Sequence, residues 1–403
     1  METRPLALLL ESIHPAADSI LSDAGFAIER HAGALEGAKL AEAMSRATVL
    51  GIRSKSELRG GFSAKGSLVA VGCFCIGVNQ VDCAGAEAAG CAVFNSPFSN
   101  TRSVAEMTVA EAVCLFRRIV QKSVQLHGGV WEKSAANSHE VRGRTLGIIG
   151  YGHIGSQVSV LAEALGMRVI FHDISRKMAL GNAQPRPSLD AVLAEADCVT
   201  LHVPETPATR GMIGERELAR MKPGAMLINN ARGTIVDVGA LARALESGRV
   251  GGAAVDVFPD EPVASGDRFA SPLLGCANAI LTPHIGGSTL EAQEAIAIEV
   301  AEKLANFWLH GSTESSVNLP QVDLPVVREG QVRILHVHRN VPGVLGRMHT
   351  LLANAGVNIN AEYLQSNPNT SFVILDVDPF RAPGLVEAIA GLDATIRMRT
   401  IAG

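Results

Sequence analysis

Arg232, Glu261 and His284 each stand just beyond an apolar run that reads as a β-strand. Arg232 follows Leu227-Ile228-Asn229-Asn230-Ala231, Glu261 follows Ala254-Val255-Asp256-Val257-Phe258, and His284 follows Ile280-Leu281-Thr282-Pro283. Open α/β sheets bind ligands outside the carboxyl ends of their strands, so the three could converge on one crevice. Their chemistry is complementary. A neutral histidine can take a hydroxyl proton near pH 7. A carboxylate beside it orients the ring and favours its protonated form. Arginine forks onto a carboxylate or polarises a carbonyl. Together they suit reversible hydride transfer at an alcohol carbon. Plainer roles are also open: Arg232 as a helix cap or carbonyl binder, Glu261 as a solvated loop acid, His284 as a turn residue after Pro283.

A hydride needs an acceptor, and the element to hold one precedes the three residues. Thr145-Leu146-Gly147-Ile148-Ile149 is strand-like and ends in Gly150-Tyr151-Gly152-His153-Ile154-Gly155, which flows into a helix-like stretch through Ala164. A second apolar run, Arg168-Val169-Ile170-Phe171-His172, closes on Asp173. Strand, G-x-G-x-x-G, helix and a strand-end acid together form a dinucleotide-binding pattern. Gly150 allows the tight turn, Gly152 admits a pyrophosphate to the backbone, and Gly155 packs helix on strand. Asp173 favours NAD over NADP by accepting ribose hydroxyls, although Arg176 and Lys177 follow closely.

The remaining elements must position these groups. Residues 5–100 alternate strand-like runs (6–10, 26–30, 48–52, 68–72, 92–94) with helix-like ones (14–25, 35–44, and loop plus helix over 78–90), a parallel β/α succession. After the break at 96–101, residues 104–127 read as one long helix. Strands follow at 198–203, 225–229, 253–257 and 279–281, with helices at 189–195, 215–221, 238–247 and 290–310. Beyond a linker-like stretch, strand 333–338, helix 343–355, strands 357–365 and 371–377, helix 383–391 and strand 394–401 give the β-α-β-β-α-β order of a ferredoxin-like unit.

Composition narrows the class. With 403 residues, 47% apolar and 19% charged, the chain is globular and long enough for two or three domains. A net charge of −5 argues against a general nucleic-acid or membrane-surface role. The short apolar run after Pro5 does not read as a signal peptide, and no stretch is long enough to span a membrane. Seven cysteines, scattered in apolar segments, suit a reducing cytoplasm; the spacing of Cys73, Cys75, Cys83 and Cys91 matches no common zinc pattern, so no metal is expected.

The glycine loop, Asn230-Ala231-Arg232-Gly233-Thr234, Asp256-Val257-Phe258-Pro259-Asp260-Glu261-Pro262 and Thr282-Pro283-His284-Ile285-Gly286-Gly287 together resemble the signature set of the D-isomer-specific 2-hydroxyacid dehydrogenases, over roughly residues 5–310. The resemblance implies a Rossmann-type nucleotide domain (100–287) inserted in a flavodoxin-like substrate domain (1–99 and 288–328), with a regulatory domain at 329–403. It casts Arg232 as substrate anchor, Glu261 as the partner tuning the base, and His284 as the acid/base. For NAD it implies Gly150, Gly152, His153, Ile154, Gly155, Asp173, Asn230, Ala231, Arg232, Asp256, His284 and Gly287.

Cys73–Asp82 and Phe98–Glu106 resemble the bacterial branch that oxidises 3-phosphoglycerate to 3-phosphohydroxypyruvate. A phosphorylated substrate needs cations besides Arg232: Arg53, Ser54 and Lys55 after a first-domain strand, with Asn100, Arg102 and Lys133, are the substrate-binding candidates. Lysine at 55 keeps charge but loses the bidentate fork of the arginine that this branch carries there. Ile334–Leu345 and Ala355–Ile359 resemble an ACT domain, a module that binds amino acids. The resemblance implies feedback by L-serine at His338, Asn340 and Asn358, and a cytoplasmic homotetramer. Asn340 as a helix cap and Asn358 as a turn residue are the structural readings. Two other functions fit the scaffold: a reductase of another 2-oxo acid such as 2-oxoglutarate, or an NAD(H)-sensing binding protein.

Overall fold

The computed structural model describes residues 4–262, 266–380 and 384–403. Contacts divide the chain into two units, residues 1–99 with 293–403, and residues 100–292.

The first unit opens with β1 (Leu6–Leu9), α1 (Ala16–Asp23), β2 (Ala27–Arg30), α2 (Gly37–Arg46), β3 (Val49–Ile52), β4 (Ala70–Cys73), α3 (Cys83–Ala88) and β5 (Ala92–Asn95). All pairings are parallel and the strand order is β2-β1-β3-β4-β5, the flavodoxin-like order. Alternation along β1 feeds both faces: Ala7 and Leu9 join one core with α1, while Leu8 and Leu10 join another with Leu40, Ala43 and Met44 of α2. Strands β3, β4 and β5 are buried throughout, as expected of a parallel sheet covered on both faces.

The second unit begins with α4 (Thr101–Arg117) and α5 (Ile119–His127). The sequence predicts one helix here; the structure breaks it at Arg118, whose φ of 55° is left-handed. That conformation costs about 1–2 kcal/mol in a non-glycine residue. α4 buries Val104, Ala105, Thr108, Glu111, Ala112, Leu115 and Phe116, whereas α5 has no buried residue, so the break falls where the core contact stops.

Then come β6 (Thr145–Ile149), α6 (His153–Ala164), β7 (Arg168–His172), β8 (Gln184–Pro185), α7 (Leu189–Glu195), β9 (Cys198–Leu201), α8 (Glu215–Arg220), β10 (Ala225–Asn229), α9 (Val238–Glu246), β11 (Val250–Val255) and β12 (Ala279–Leu281). The order β12-β11-β10-β9-β6-β7-β8 is the doubly wound Rossmann order with one strand added. Two-residue β8 is absent from the sequence reading, since no period can be read from Gln184-Pro185. Leu146, Ile148, Met226, Ile228 and Ala254 face α4 and α6; Ile149, Leu201, Leu227, Ala253 and Val255 face α7, α8 and α9.

α10 (Leu290–His310) returns the chain to the first unit, where Ile296, Val300 and Leu304 enter the α1 core. Last come β13 (Val332–Arg339), α11 (Val344–Asn354), β14 (Ile359–Ser366), β15 (Thr370–Val377), α12 (Leu385–Ala390) and β16 (Thr395–Ala402). Residue 383, where the sequence starts the helix that becomes α12, lies outside the described residues. The antiparallel order β14-β15-β13-β16 is ferredoxin-like.

One face of this sheet, with Ile334, Val373 and Leu375, packs on α11 and α12. Its other face does not stand free: Leu335, Val337, Phe372 and Ile374 share the core of α1 and α10. Arg399 donates to Phe307 O and Trp308 O, both at 2.7 Å, and stacks 4.5 Å over the Trp308 ring. Arg333 is fully buried, forked onto Asp376 and donating to His310 O and Pro325 O, which fixes the linker to β13.

Candidate active site

At the end of β6 the glycine loop does what its spacing demands. Gly150 has φ +90°, and a Cβ there would lie 2.4 Å from His202 O. A Cβ on Gly155 would meet Gly150 O at 2.2 Å, so the turn and the first turn of α6 interlock only without side chains. Gly152 is different: a Cβ there would meet nothing within 4 Å. Its lack of a side chain serves no contact inside the protein and leaves the backbone open to a ligand, while His153 and Ile154 begin α6 beside it. The N–H groups at a helix N-terminus suit a pyrophosphate.

Asp173 ties this loop to β7. Its Oδ2 accepts from Tyr151 N–H at 2.8 Å, and Oδ1 accepts from the Ser175 N–H and hydroxyl, both at 2.9 Å. Burial opposes ionisation, but these hydrogen bonds and Lys177 outweigh it and hold the carboxyl below its ordinary range. A carboxylate has about four acceptor positions and three are taken, so capacity remains for a ribose hydroxyl. The donor set fits a dinucleotide: open glycine backbone, a helix N-terminus and an ionised acid one strand away.

The three chemical residues meet in the same unit. His284 Nδ1 and Glu261 Oε2 are 2.8 Å apart, and Glu261 Oε1 accepts from Phe258 N–H at 3.0 Å. The Glu261 hydrogen bond, against the effect of burial, raises the His284 pKa; the charges of Glu261 and Asp256 add to this and Arg232 opposes it. For Glu261, burial is outweighed by His284, the Phe258 N–H and Arg232, so its pKa falls. With Nδ1 committed to Glu261, Nε2 of a half-exposed imidazole is the atom free to exchange a proton. Arg232 Nη1 donates to Ala231 O at 2.7 Å, and its backbone is held by Asn229, whose Nδ2 donates to Arg232 O. Gly233 must be glycine, because a Cβ would sit 2.0 Å from the Phe258 carbonyl carbon. This close approach draws the Arg232 turn against the loop that leads to Glu261.

Asp256 is buried and organises the loop of His284. It accepts from Thr282 Oγ1 at 2.6 Å and from the N–H groups of Ile285 and Gly286 at 2.8 Å, while its own carbonyl accepts from His284 N–H. His284 is left-handed, at φ 54°. Gly287 lies close under α4, where a Cβ would meet Asn100 Nδ2 at 2.6 Å. The Asn230 side chain turns inward onto α4, and Ala231 N–H is taken by Asn229 Oδ1.

Arg53, Ser54 and Lys55 follow β3, with the two cations in no ion pair among the described residues. The residue that shapes this turn is one the sequence reading missed. Glu11 is buried; its Oε2 accepts from Lys55 N–H at 2.9 Å and Oε1 from Ser56 N–H at 2.8 Å. A lone acid closing the apolar run Leu6–Leu10 was the available signal. In the second unit Arg102 pairs with Glu106 at 2.5 Å along α4, and Lys133 is exposed.

In the C-terminal sheet His338 is buried, its Nδ1 3.1 Å from His336 Nδ1. Asn340 Nδ2 donates to Asn367 O and Asn358 Nδ2 to Asn360 Oδ1. The cap of α11 is Gly343, so Asn340 is not a helix cap. Among the described residues no group of His, Cys, Asp and Glu is gathered for a metal ion, and no helix is long and apolar enough to cross a membrane.

Comparison with known proteins agrees with this geometry. Residues 109–286 match the family described as D-isomer specific 2-hydroxyacid dehydrogenase, NAD binding domain, and residues 334–397 match an ACT domain of the AHAS small subunit type. A D-3-phosphoglycerate dehydrogenase of Haemophilus influenzae is 49% identical over 98% of this chain and 96% of its own length. The Escherichia coli protein of the same name is 48% identical over 98% of this chain and 97% of its own. Among solved structures, a D-lactate dehydrogenase from Aquifex aeolicus complexed with NAD and lactic acid superposes with a TM-score of 0.65 at 28% identity, covering 75% of this chain and 95% of that one. The chain belongs to the D-isomer-specific 2-hydroxyacid dehydrogenase family.

Proposed function

We propose that the protein oxidises 3-phospho-D-glycerate to 3-phosphohydroxypyruvate with NAD, the first step of L-serine biosynthesis, and that L-serine feeds back on it through the ACT domain. The observation that carries the reaction class is the Glu261–His284 pair at 2.8 Å with Arg232 acting electrostatically on both. NAD, when bound, supplies the hydride acceptor. Neutral His284 takes the proton of the 2-hydroxyl at Nε2; Glu261 stabilises the imidazolium that forms; Arg232 anchors the carboxylate. In the reverse direction protonated His284 returns that proton.

Arg53, Ser54 and Lys55 are proposed as the phosphate-binding group, with Asn100, Arg102 and Lys133 as further contacts. We assign Gly150, Gly152, His153, Ile154, Gly155 and Asp173 to the dinucleotide, with Asn230, Ala231, Arg232, Asp256, His284 and Gly287 on its nicotinamide side. Serine is assigned to His338, Asn340 and Asn358. We take the protein to work in the cytoplasm as a homotetramer.

A substrate panel under NADH tests the reading. Turnover should be strong with 3-phosphohydroxypyruvate and weak with pyruvate. The choice of substrate is overturned if unphosphorylated 2-oxo acids react well while the phosphorylated one does not.

A further inference from the structure

Beneath the turn that carries Arg232, an acid and an amide meet in the protein interior. Glu111 on α4 and Asn230 just past β10 are 119 positions apart in the chain, and they are 5% and 8% exposed. Asn230 Nδ2 donates to Glu111 Oε2 at 2.7 Å and to Thr108 Oγ1 at 3.0 Å, and the Thr108 hydroxyl donates onward to Val104 O at 2.8 Å. Both amide hydrogens are thereby used. Glu111 Oε1 and Asn230 Oδ1 remain buried with no donor among the described residues.

Two orphaned acceptors on neighbouring groups are costly, and a carboxylate cannot relieve either. A carboxylic acid can: its single hydroxyl hydrogen serves as the missing donor for its own oxygen and for the amide oxygen. No lysine or arginine pairs with Glu111 among the described residues, so an ionised form would be a buried, uncompensated charge. Burial pushes its carboxyl up to about 7, against the lowering effect of Asn230 and with added repulsion from Asp256. The other titratable groups coupled to it are the thiols of Cys114, on α4, and Cys198, on β9; neither can neutralise a carboxylate.

We propose that Glu111 works as a neutral carboxylic acid, closing a two-hydrogen-bond ring with the Asn230 amide, and that this ring positions Arg232. Asn229 folds the turn locally through Ala231 N–H and Arg232 O. The Glu111 ring anchors the next residue to α4, so the arginine is held from two sides. Glu111 is a positioning residue and touches no reacting atom. The inference rests on the reading of Arg232 as substrate anchor.

The full-length protein, E111Q and E111A test it. An infrared difference spectrum of wild type against E111Q at about pH 6 should show a protonated carboxyl band that fades as pH rises through about 7. A glutamine can donate from Nε2 to Asn230 Oδ1 and keep the ring, so E111Q should retain a KM for 3-phosphohydroxypyruvate close to wild type. E111A should raise that KM about tenfold, the size of one buried hydrogen bond, with a smaller change in kcat. Wild-type KM should climb above neutral pH, and that of E111Q should not.

Stability gives a readout independent of catalysis. The folded-state pKa is raised, so the contribution of Glu111 is complete below the ordinary glutamate range and is lost as pH rises through about 7. E111Q should therefore gain on wild type in melting temperature between about pH 6 and pH 8. No carboxyl band at pH 6, or an E111Q as impaired as E111A with an unchanged pH profile, overturns the neutral acid. Should E111A fail to fold, the band and the E111Q profile still decide. A wild-type KM in folded E111A, with the band present, overturns the positioning role. Failure of the Arg232 reading itself would show separately, as an Arg232→Lys variant with unaltered KM.

Discussion

At the scale of single residues, the chemistry turns on which proton His284 holds. Glu261 raises its pKa, so the imidazole stays protonated to higher pH than a free histidine. Reduction requires the protonated ring, and its rate should fall as pH rises through that pKa. Replacing Glu261 by Gln removes the largest raising cause, so the falling limb should move to lower pH in E261Q, together with a loss of kcat. A pH–rate series for the two proteins reads this directly; an unmoved limb would mean that another group controls it. Asp173 carries two duties, accepting the loop N–H of Tyr151 and, by our assignment, the ribose. Asp173→Ala should raise KM for NADH about tenfold and narrow the gap to NADPH, compared by paired steady-state assays.

At the scale of elements, much of the site was legible because its residues sit where strands end. Arg232, Glu261 and His284 could be picked out from three apolar runs, and the glycine loop from strand, spacing and helix. What supports the Arg232 turn, and separately the Arg53–Lys55 turn of the first unit, was not legible. Glu111 is a single acid in a helix whose partner lies 119 positions away. Glu11 bonds N–H groups 44 and 45 positions on, and neither pairing leaves a local pattern. The break at Arg118 carries no glycine or proline. The second apolar face of the C-terminal sheet did leave a signal: Phe372-Val373-Ile374-Leu375 is apolar on both faces, as a strand buried on both sides must be. The interlock of the glycine loop gives this scale its prediction. Gly155→Ala drives a Cβ to 2.2 Å from the Gly150 carbonyl oxygen, so the backbone must shift; a loss of about 1–3 kcal/mol is expected, read as a lower melting temperature. An unchanged melting temperature would show that the turn is looser than its geometry.

At the scale of the whole molecule, the ACT domain is packed within the first unit, against α1 and α10, through a shared apolar core and the half-buried Arg399. Arg399→Ala takes the donor from the Trp308 carbonyl, while Phe307 O keeps the Gly311 N–H, and should cost about 1–3 kcal/mol, measured by denaturant unfolding. Asn340→Ala, which removes a side chain of the proposed serine site, should raise the half-inhibitory serine concentration. Unaltered inhibition would remove Asn340 from that site.

The central claim is hydride transfer from a dinucleotide, held at the glycine loop, to the carbonyl carbon of a phosphorylated 2-oxo acid, with the Glu261–His284 pair supplying the proton. It is tested most directly by following NADH absorbance during reduction of 3-phosphohydroxypyruvate, in wild type and in His284→Gln. The expected result is brisk NADH consumption by wild type and a loss of about 10²–10⁴-fold in kcat for the variant, the usual worth of a general acid. Equal rates in the two proteins, or no NADH consumption by wild type, would contradict it.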